Sequence, residues 1–347
     1  MRIAIAKGLA IENWAEAADY VVEAERLGVD EVWSAEAWGH DAVTPLAFLA
    51  ARTTRLRLGT GIMQAGTRTP ALVAMTAMSL SAMSNHRFVL GLGVSGPQVI
   101  EGWHGIRFDR PVQRMREIIE IVRMAARGER VAYRGKIYEL PLPGGEGKAL
   151  RSGASPVPPI PIHLATLSPK SLELTGEIAD GWLGTSFMPE HARVFFDSLA
   201  AGAARAGRKL TDLDLQAGGV AAFGDDVERL VAERKPGLAF TLGAMGSARH
   251  NFYNDAFRRA GYEDVAAEVQ RLWLAGKREE AAARVPDEMA LKTNLLGTEA
   301  MVRARIAAYR AAGITTLRVA PAGRTLDERL ATLARVVTLV REGASRG

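Results

Sequence analysis

The chain has 347 residues, long for a two-layer domain but suited to one β/α barrel carrying an insertion. Its 48% apolar and 24% charged content supports a large core, and no apolar run approaches the roughly eighteen residues of a membrane span. The 44 basic and 39 acidic side chains are spread along the chain without a basic tail or a basic–aromatic cluster, which argues against nucleic acid as a partner; the absence of cysteine removes disulfides, thiolate metal sites and a cysteine nucleophile.

Short β-rich runs alternate with amphipathic runs from end to end. Residues 2–7 (RIAIAK) alternate as a first strand and not as a signal peptide, so the cytoplasm is the default location. From Glu12 to Leu27, Trp14, Ala17, Ala18, Val21, Val22 and Leu27 recur at helical spacing before Gly28. Residues 31–35 (EVWSA) make a second strand and 43–52 a second helix. The third strand is 55–63 (RLRLGTGIM), followed by a helix with Pro70 in its first turn. The fourth is 87–95 (RFVLGLGVS), with a helix from Val112 to Ala126 after a loop.

A hairpin at 130–140 and a Gly/Pro-rich stretch at 141–161 interrupt the rhythm. It resumes with strands at 160–166, 181–187, 213–223 and 315–321, closed by a helix over 326–342. Eight β/α units without a glycine fingerprint after the first strand predict a (β/α)8 TIM barrel in a single domain, 1–347. Residues 238–296, rich in Ala, Arg and Glu, predict a helical insertion between strands seven and eight, as a lid or a partner surface.

In such a barrel the loops at the C-terminal strand ends carry function. That rule selects Glu36, Trp38 and His40 after strand two, Gly61 to Gln64 after strand three, and Gly93 to Gln98 after strand four. It adds Ala165 to Lys170 after strand five, and Thr185 and Ser186 after strand six. The histidines show no metal-binding spacing and no GxSxG elbow is present, which argues against metal and serine-hydrolase chemistry. The glycines of GLGVSG at 91–96 suit either a ligand approach or tight strand-to-loop turns. In ATLSPKSLELTGEIADGWL a strand ends at Ala165–Thr166 and a helix starts near Ser168, with Pro169 in its first position. Free amides there, with the Thr166 and Ser168 hydroxyls and Lys170, suit a phosphate; plain capping is the alternative.

Taken with SAEAWGHDAVTPLAFLA (34–50), RLRLGTGIMQAGTRTP (55–70), RFVLGLGVSGPQVIEGWHG (87–105) and LLGTEAMVRARIAAYRAAGITTLRV (295–319), this segment resembles the luciferase-like monooxygenase superfamily, in particular its coenzyme F420-dependent branch. The resemblance implies hydride transfer between F420 and a small organic substrate, with an FMN-dependent two-component monooxygenase as the alternative on the same fold. It also implies a homodimer, and a non-prolyl cis peptide at Gly61–Ile62 backing the deazaflavin ring. By the same resemblance Met63 and Gln64 flank the ring, and Val94, Ser95, Gly96, Pro97 and Gln98 border its ribityl side and the substrate. Ala165, Thr166, Leu167, Ser168 and Pro169 hold the cofactor phosphate, and Trp182 and Thr185 line the neighbouring strand end. Glu36 faces the deazaflavin and is the first candidate for proton transfer, with His40 and Gln98 as weaker partners; a structural ion pair is the other reading of Glu36. Trp38 is either a wall of the substrate pocket or an aromatic packed under its loop. Two positions depart from the pattern. Asn85-His86-Arg87 replaces a Gly-Gly-Arg turn, and Ala37 stands where the family's glucose-6-phosphate dehydrogenases have histidine, which argues against that activity.

Overall fold

Eight parallel strands follow one another around a closed ring in a computed structural model that describes residues 1–6, 13–246 and 251–343. Lys7 and Glu12, expected at the end of the first strand and the start of the first helix, lie outside the described residues, as do 247–250 within the insertion. The strands are β1 (Arg2–Ala6), β2 (Glu31–Ser34), β3 (Arg57–Thr60), β4 (Phe88–Gly93), β5 (Ile162–Ala165), β6 (Gly181–Leu183), β7 (Asp214–Phe223) and β8 (Thr316–Pro321). Each pairs with the next, and β8 pairs back onto β1 through Arg2↔Thr316 to Ile5↔Val319, so the (β/α)8 barrel is closed.

Strand alternation divides the side chains between two cores. Ile3, Ile5, Val32, Leu58, Leu90, Leu92, Leu164, Leu215, Leu317 and Val319 point outward into the buried layer beneath the helices. Ala4, Trp33, Val89 and Leu183 form a second cluster, with Ile62 and Ala165 packed on it, and fill the inside. Close approach of the Trp33 indole explains Gly59 of β3, and close approach of neighbouring backbone explains Gly91 of β4. A Cβ at Gly59 would stand 2.3 Å from the indole, and one at Gly91 would stand 1.8 Å from the Thr60 carbonyl oxygen.

Polar groups close the N-terminal end of the barrel. Glu31, 1% exposed, accepts from Arg57 Nη1 at 2.6 Å and Gln216 Nε2 at 2.7 Å. Asp214 pairs with Arg2 Nη2 at 2.7 Å and accepts from the Thr315 and Thr316 hydroxyls at 2.6 and 2.8 Å. The buried His163 ring lies beside them, its Nε2 3.9 Å from Asp214.

Between strands, local chemistry sets the helix ends. Asn13 caps the helix Trp14–Leu27 through the Ala15 amide, and Gly28 ends it at φ 95°, the left-handed region that favours glycine. The second helix is shorter than the expected 43–52, running over Thr44–Ala50. The sixth strand is likewise shorter than 181–187: the Gly184 amide still donates to the Gln216 carbonyl, but Ser186 turns to φ 55°. The expected hairpin at 130–140 is present as Tyr133–Arg134 against Glu139–Leu140. The fully buried Glu117 holds its turn by accepting the amides of Lys136, Ile137 and Tyr138. The Asn85-His86-Arg87 turn places its first two residues at positive φ, and Arg87 ties it to the carbonyls of Ala50, Thr53, Leu56 and Ser84.

The helical region after β7 begins earlier than residue 238. Its helices are Val227–Ala232, Lys235–Gly243, Phe252–Arg259, Glu263–Leu274, Arg278–Ala283 and Asp287–Thr293. The last five share an apolar cluster of their own that includes Leu242, Phe257, Val269, Leu272, Val285 and Met289, while Leu230 and Val231 of the first pack with Ala222, Ala290 and Leu296. After them a short strand, Leu295–Gly297, pairs with the distal end of β7, which runs past the point where the barrel needs it.

Burial pulls the His163 imidazole down from its ordinary 6.5 to about 4, against the attraction of Asp214. The unfolded chain therefore takes up this proton first, and stability is lost as pH falls from about 6.5 towards 4, on the order of 3 kcal/mol in all. Urea unfolding at pH 7 and pH 4 should show a smaller loss for His163→Gln than for the wild type. Equal losses would remove His163 as the cause.

Candidate functional site

The chain leaves β3 through a cis peptide at Gly61–Ile62 and returns to the sheet at Met63–Gln64, which pairs with Leu92 and Gly93 of β4. This bulge is held from the loop after β2. The Glu36 amide donates to the Ile62 carbonyl at 3.3 Å, and the Glu36 carboxylate accepts the Gln64 amide at 2.8 Å and the Ala42 amide at 3.0 Å. Its two oxygens also take Arg68 Nη1 at 2.5 Å and Nη2 at 2.9 Å, a fork-to-fork pair. Gln64 is almost fully buried, and its Nε2 closes the clamp onto the Ala37 carbonyl at 3.0 Å. With four donors on a largely buried carboxylate, Glu36 is built to hold backbone and to pair with Arg68. The ion-pair reading of this residue is the one that its surroundings favour.

The bulge presents Gly61 and Ile62, both half-buried, towards the mouth of the barrel. Met63 faces the other way, fully buried in the layer beneath the helices, and so backs the bulge instead of flanking a ligand. After β4, Val94, Ser95, Gly96 and Pro97 stay half-buried, with Ser95 at φ 58°. Gln98 is exposed and donates its side-chain amide to the Gly246 carbonyl of the insertion. On the rim Trp38 is 59% exposed, so it is not packed under its loop. His40 is also exposed, with its ring edge-on to Trp14 at 5.2 Å.

Beyond β5, Ala165 and Ser168 are half-buried while Thr166 and Leu167 turn inward. Ser168 occupies the N-cap of the helix Pro169–Ile178, but its hydroxyl pairs with Ser171 Oγ at 2.9 Å and caps no amide. The amides of Lys170 and Ser171, in the first turn, therefore have no side-chain acceptor. The Thr166 hydroxyl is taken by Thr175 at 2.7 Å and does not reach the mouth. Trp182 is not in a pocket wall. Its neighbour Leu183 points into the barrel, so alternation sends the indole outward to full burial among Phe187, Phe195 and Phe196, with Nε1 donating to the Thr166 carbonyl at 3.0 Å. Thr185, half-buried, remains at the strand end.

Residues outside the expected set complete the arrangement. Arg68 is one, 32 positions from Glu36. Arg259 of the insertion is another, donating to the Leu167 and Val194 carbonyls at 2.6 and 2.8 Å. Neither carries a local motif. Arg318, inside the barrel on β8, was legible from the alternation of TTLRVAP. Among the described residues no three His, Cys, Asp or Glu side chains converge as a metal site.

Comparison with known proteins bears on this geometry. The family model for luciferase-like monooxygenases matches residues 2–316. The chain is 43% identical over 310 residues to Rv3520c of Mycobacterium tuberculosis, whose name marks it as a candidate coenzyme F420-dependent oxidoreductase; 87% of this chain and 89% of that protein are covered. It is 30% identical to the F420-dependent glucose-6-phosphate dehydrogenase of Nakamurella multipartita, covering 78% of each. Among solved structures, the coenzyme F420-dependent tetrahydromethanopterin reductase of Methanopyrus kandleri shares the fold at a TM-score of 0.81 and 22% identity, covering 99% of both chains.

Removing either half of the Glu36–Arg68 pair strands the other. Glu36→Gln and Arg68→Met should each lower stability by about 3 kcal/mol, and the double variant should lose clearly less than the sum. Additive losses in urea unfolding would mean that the pair does not couple.

Proposed function

The chain belongs to the luciferase-like monooxygenase family, and we propose that it is a coenzyme F420-dependent oxidoreductase acting on a small organic molecule. The observation that carries this reading is the 43% identity, over most of both chains, to a relative named for that cofactor. The site's chemistry fits the group: a backbone bulge faces the mouth at Gly61–Ile62, and two helix-start amides lack an acceptor at Lys170–Ser171.

When bound, the cofactor supplies a carbon that gives or takes a hydride. The chain's part is positional. Ile62 and Gly61 form the floor against the ring, and Glu36 and Arg68 keep that floor from shifting. Val94 to Pro97 border the ring's sugar-like side. The turn from Ala165 to Pro169, continued by the Lys170 and Ser171 amides, takes the phosphate. Trp38 stands at the rim, where it limits water, and His40 and Gln98 are the polar groups nearest the opening. Holding reactants in one geometry supplies much of the rate in such a site. Relatives of this chain are named for different substrates, so the substrate is not carried over with the cofactor.

The same reading includes a cytoplasmic location and pairing of two copies. No helix among the described residues is long and apolar enough to cross a membrane. Phe48, Leu72, Met75 and Met83 are 43–61% exposed along the neighbouring helices Thr44–Ala50 and Pro70–Met83, a face that suits a second copy.

Three measurements test this reading. The purified protein should retain F420 and not FMN through gel filtration; retention of FMN alone would overturn the cofactor. Ser168→Ala should weaken F420 binding by about 1 kcal/mol and Ala165→Leu by more, and unchanged dissociation constants for both would move the phosphate elsewhere. Sedimentation should give a dimer that Met75→Glu converts to a monomer; a monomeric wild type would remove the pairing.

A further inference from the structure

On β8, Leu317 and Val319 belong to the outer core, so alternation turns Thr316, Arg318 and Ala320 inward. Thr316 joins the polar floor through Asp214 and Arg2. Arg318 stands one pleat nearer the mouth, in register with Ala4 of β1 and Gly218 of β7, neither of which offers a polar side chain. Among the described residues it makes no hydrogen bond or ion pair, and its Nε is buried without a partner. Glu31, the nearest carboxylate to influence it, is already committed to Arg57 and Gln216.

Two facts about this side chain point in different directions. Burial lowers its guanidinium from 12.5 to about 10, as deep placement requires, yet the residue keeps part of its surface open. Both hold if the headgroup lies deep in the molecule while part of the side chain is left uncovered. Its surroundings agree: Gly218, Gly219, Val220 and Ala320 are also only half-buried, although they sit on interior strands. From above, the insertion helix Phe252–Arg259 brings Tyr253 close enough for the Arg318 charge to act on the phenol. The Tyr253 hydroxyl has no hydrogen-bond partner among the described residues, and the residue is only half-buried.

An isolated cation inside a barrel is costly, and neighbours normally neutralise it. Here a flat, fixed fork of donors and a phenolic hydroxyl lie within electrostatic reach of one another, and neither is hydrogen-bonded among the described residues. We propose that Arg318 and Tyr253 form an oxyanion-recognition site, so that the molecule processed at this mouth is an organic acid, carrying a carboxylate or phosphoryl group. This deepens the oxidoreductase reading by naming the substrate class and rests on it for the site's purpose. Binding of the anion itself needs no cofactor.

The cofactor-free full-length protein is titrated calorimetrically with benzoate, inorganic phosphate and the neutral benzamide at matched ionic strength. The wild type should bind benzoate or phosphate at least about tenfold more tightly than benzamide. Arg318→Met should abolish that preference, Arg318→Lys should keep part of it, and Tyr253→Phe should reduce it. Benzoate against phosphate separates the two oxyanion types. Equal binding of all three probes by the wild type, or an unchanged preference in Arg318→Met, overturns the proposal.

Two further readings keep the result unambiguous. Arg318→Met should melt at the wild-type temperature or above it, because it removes an unpaired buried charge. A lower melting temperature with unchanged anion affinity would make Arg318 structural and end the proposal. F420 affinity, followed by cofactor fluorescence, should be the same in Arg318→Met as in the wild type; its loss would assign the cation to the cofactor instead. Failure of F420 to bind the wild type would overturn the cofactor reading and leave the anion measurement standing.

Discussion

A parallel barrel of eight strands has little room inside, and here one indole takes much of it. Trp33 lies against Gly59, Gly61 and Gly91 so closely that a side chain at any of them would press on the indole or the backbone around it. The rest of the interior divides around that ring. Toward the N-terminal end, Glu31, Asp214, Arg2, Arg57 and Gln216 pair with one another in a polar floor. Toward the C-terminal end, Ala165, Gly218, Val220 and Ala320 are only half-buried. The mouth is therefore the more open half of an interior whose other half is closed by polar contacts.

What happens at that mouth depends on backbone held by side chains. The bulge after β3 is tied to the end of β2 by two backbone bonds, Gly61 amide to Ser34 carbonyl and Glu36 amide to Ile62 carbonyl, and the Glu36 carboxylate and the Gln64 side chain hold it further. Glu36 is fixed in turn by Arg68, and this chain of dependence turns an acidic residue in a functional loop into a scaffold group. A carboxylate that satisfies two amides and a guanidinium is held in one position.

The fold was legible because its signals are local. Alternation in RIAIAK, in RFVLGLGVS and in TTLRVAP, and helical spacing before Gly28, report burial that each segment carries by itself. The site was legible only in outline. Trp182 and Met63 were assigned to the mouth by their place at a strand end, but the period of two sends each to the outer core, and a shift of one residue reverses a side chain's face. The early start of the helical region and the Leu295–Gly297 strand depend on how far β7 extends, which no run of residues announces. Arg68 and Arg259 act through partners 32 and 92 positions away, a kind of contact that spacing in one sequence cannot show.

The insertion grips the barrel in a particular manner. Arg259 holds the carbonyls of Leu167 and Val194, and Gln98 reaches from the barrel to the carbonyl of Gly246. All three acceptors are main chain. A carbonyl oxygen is the same whatever side chain stands beside it, so these three bonds do not themselves depend on the identity of residues 167, 194 and 246. Mutation can therefore redraw the surface under the insertion, one substitution at a time, while the cover stays fastened. An architecture of this kind lets chemical taste drift over evolutionary time without first having to loosen the machine.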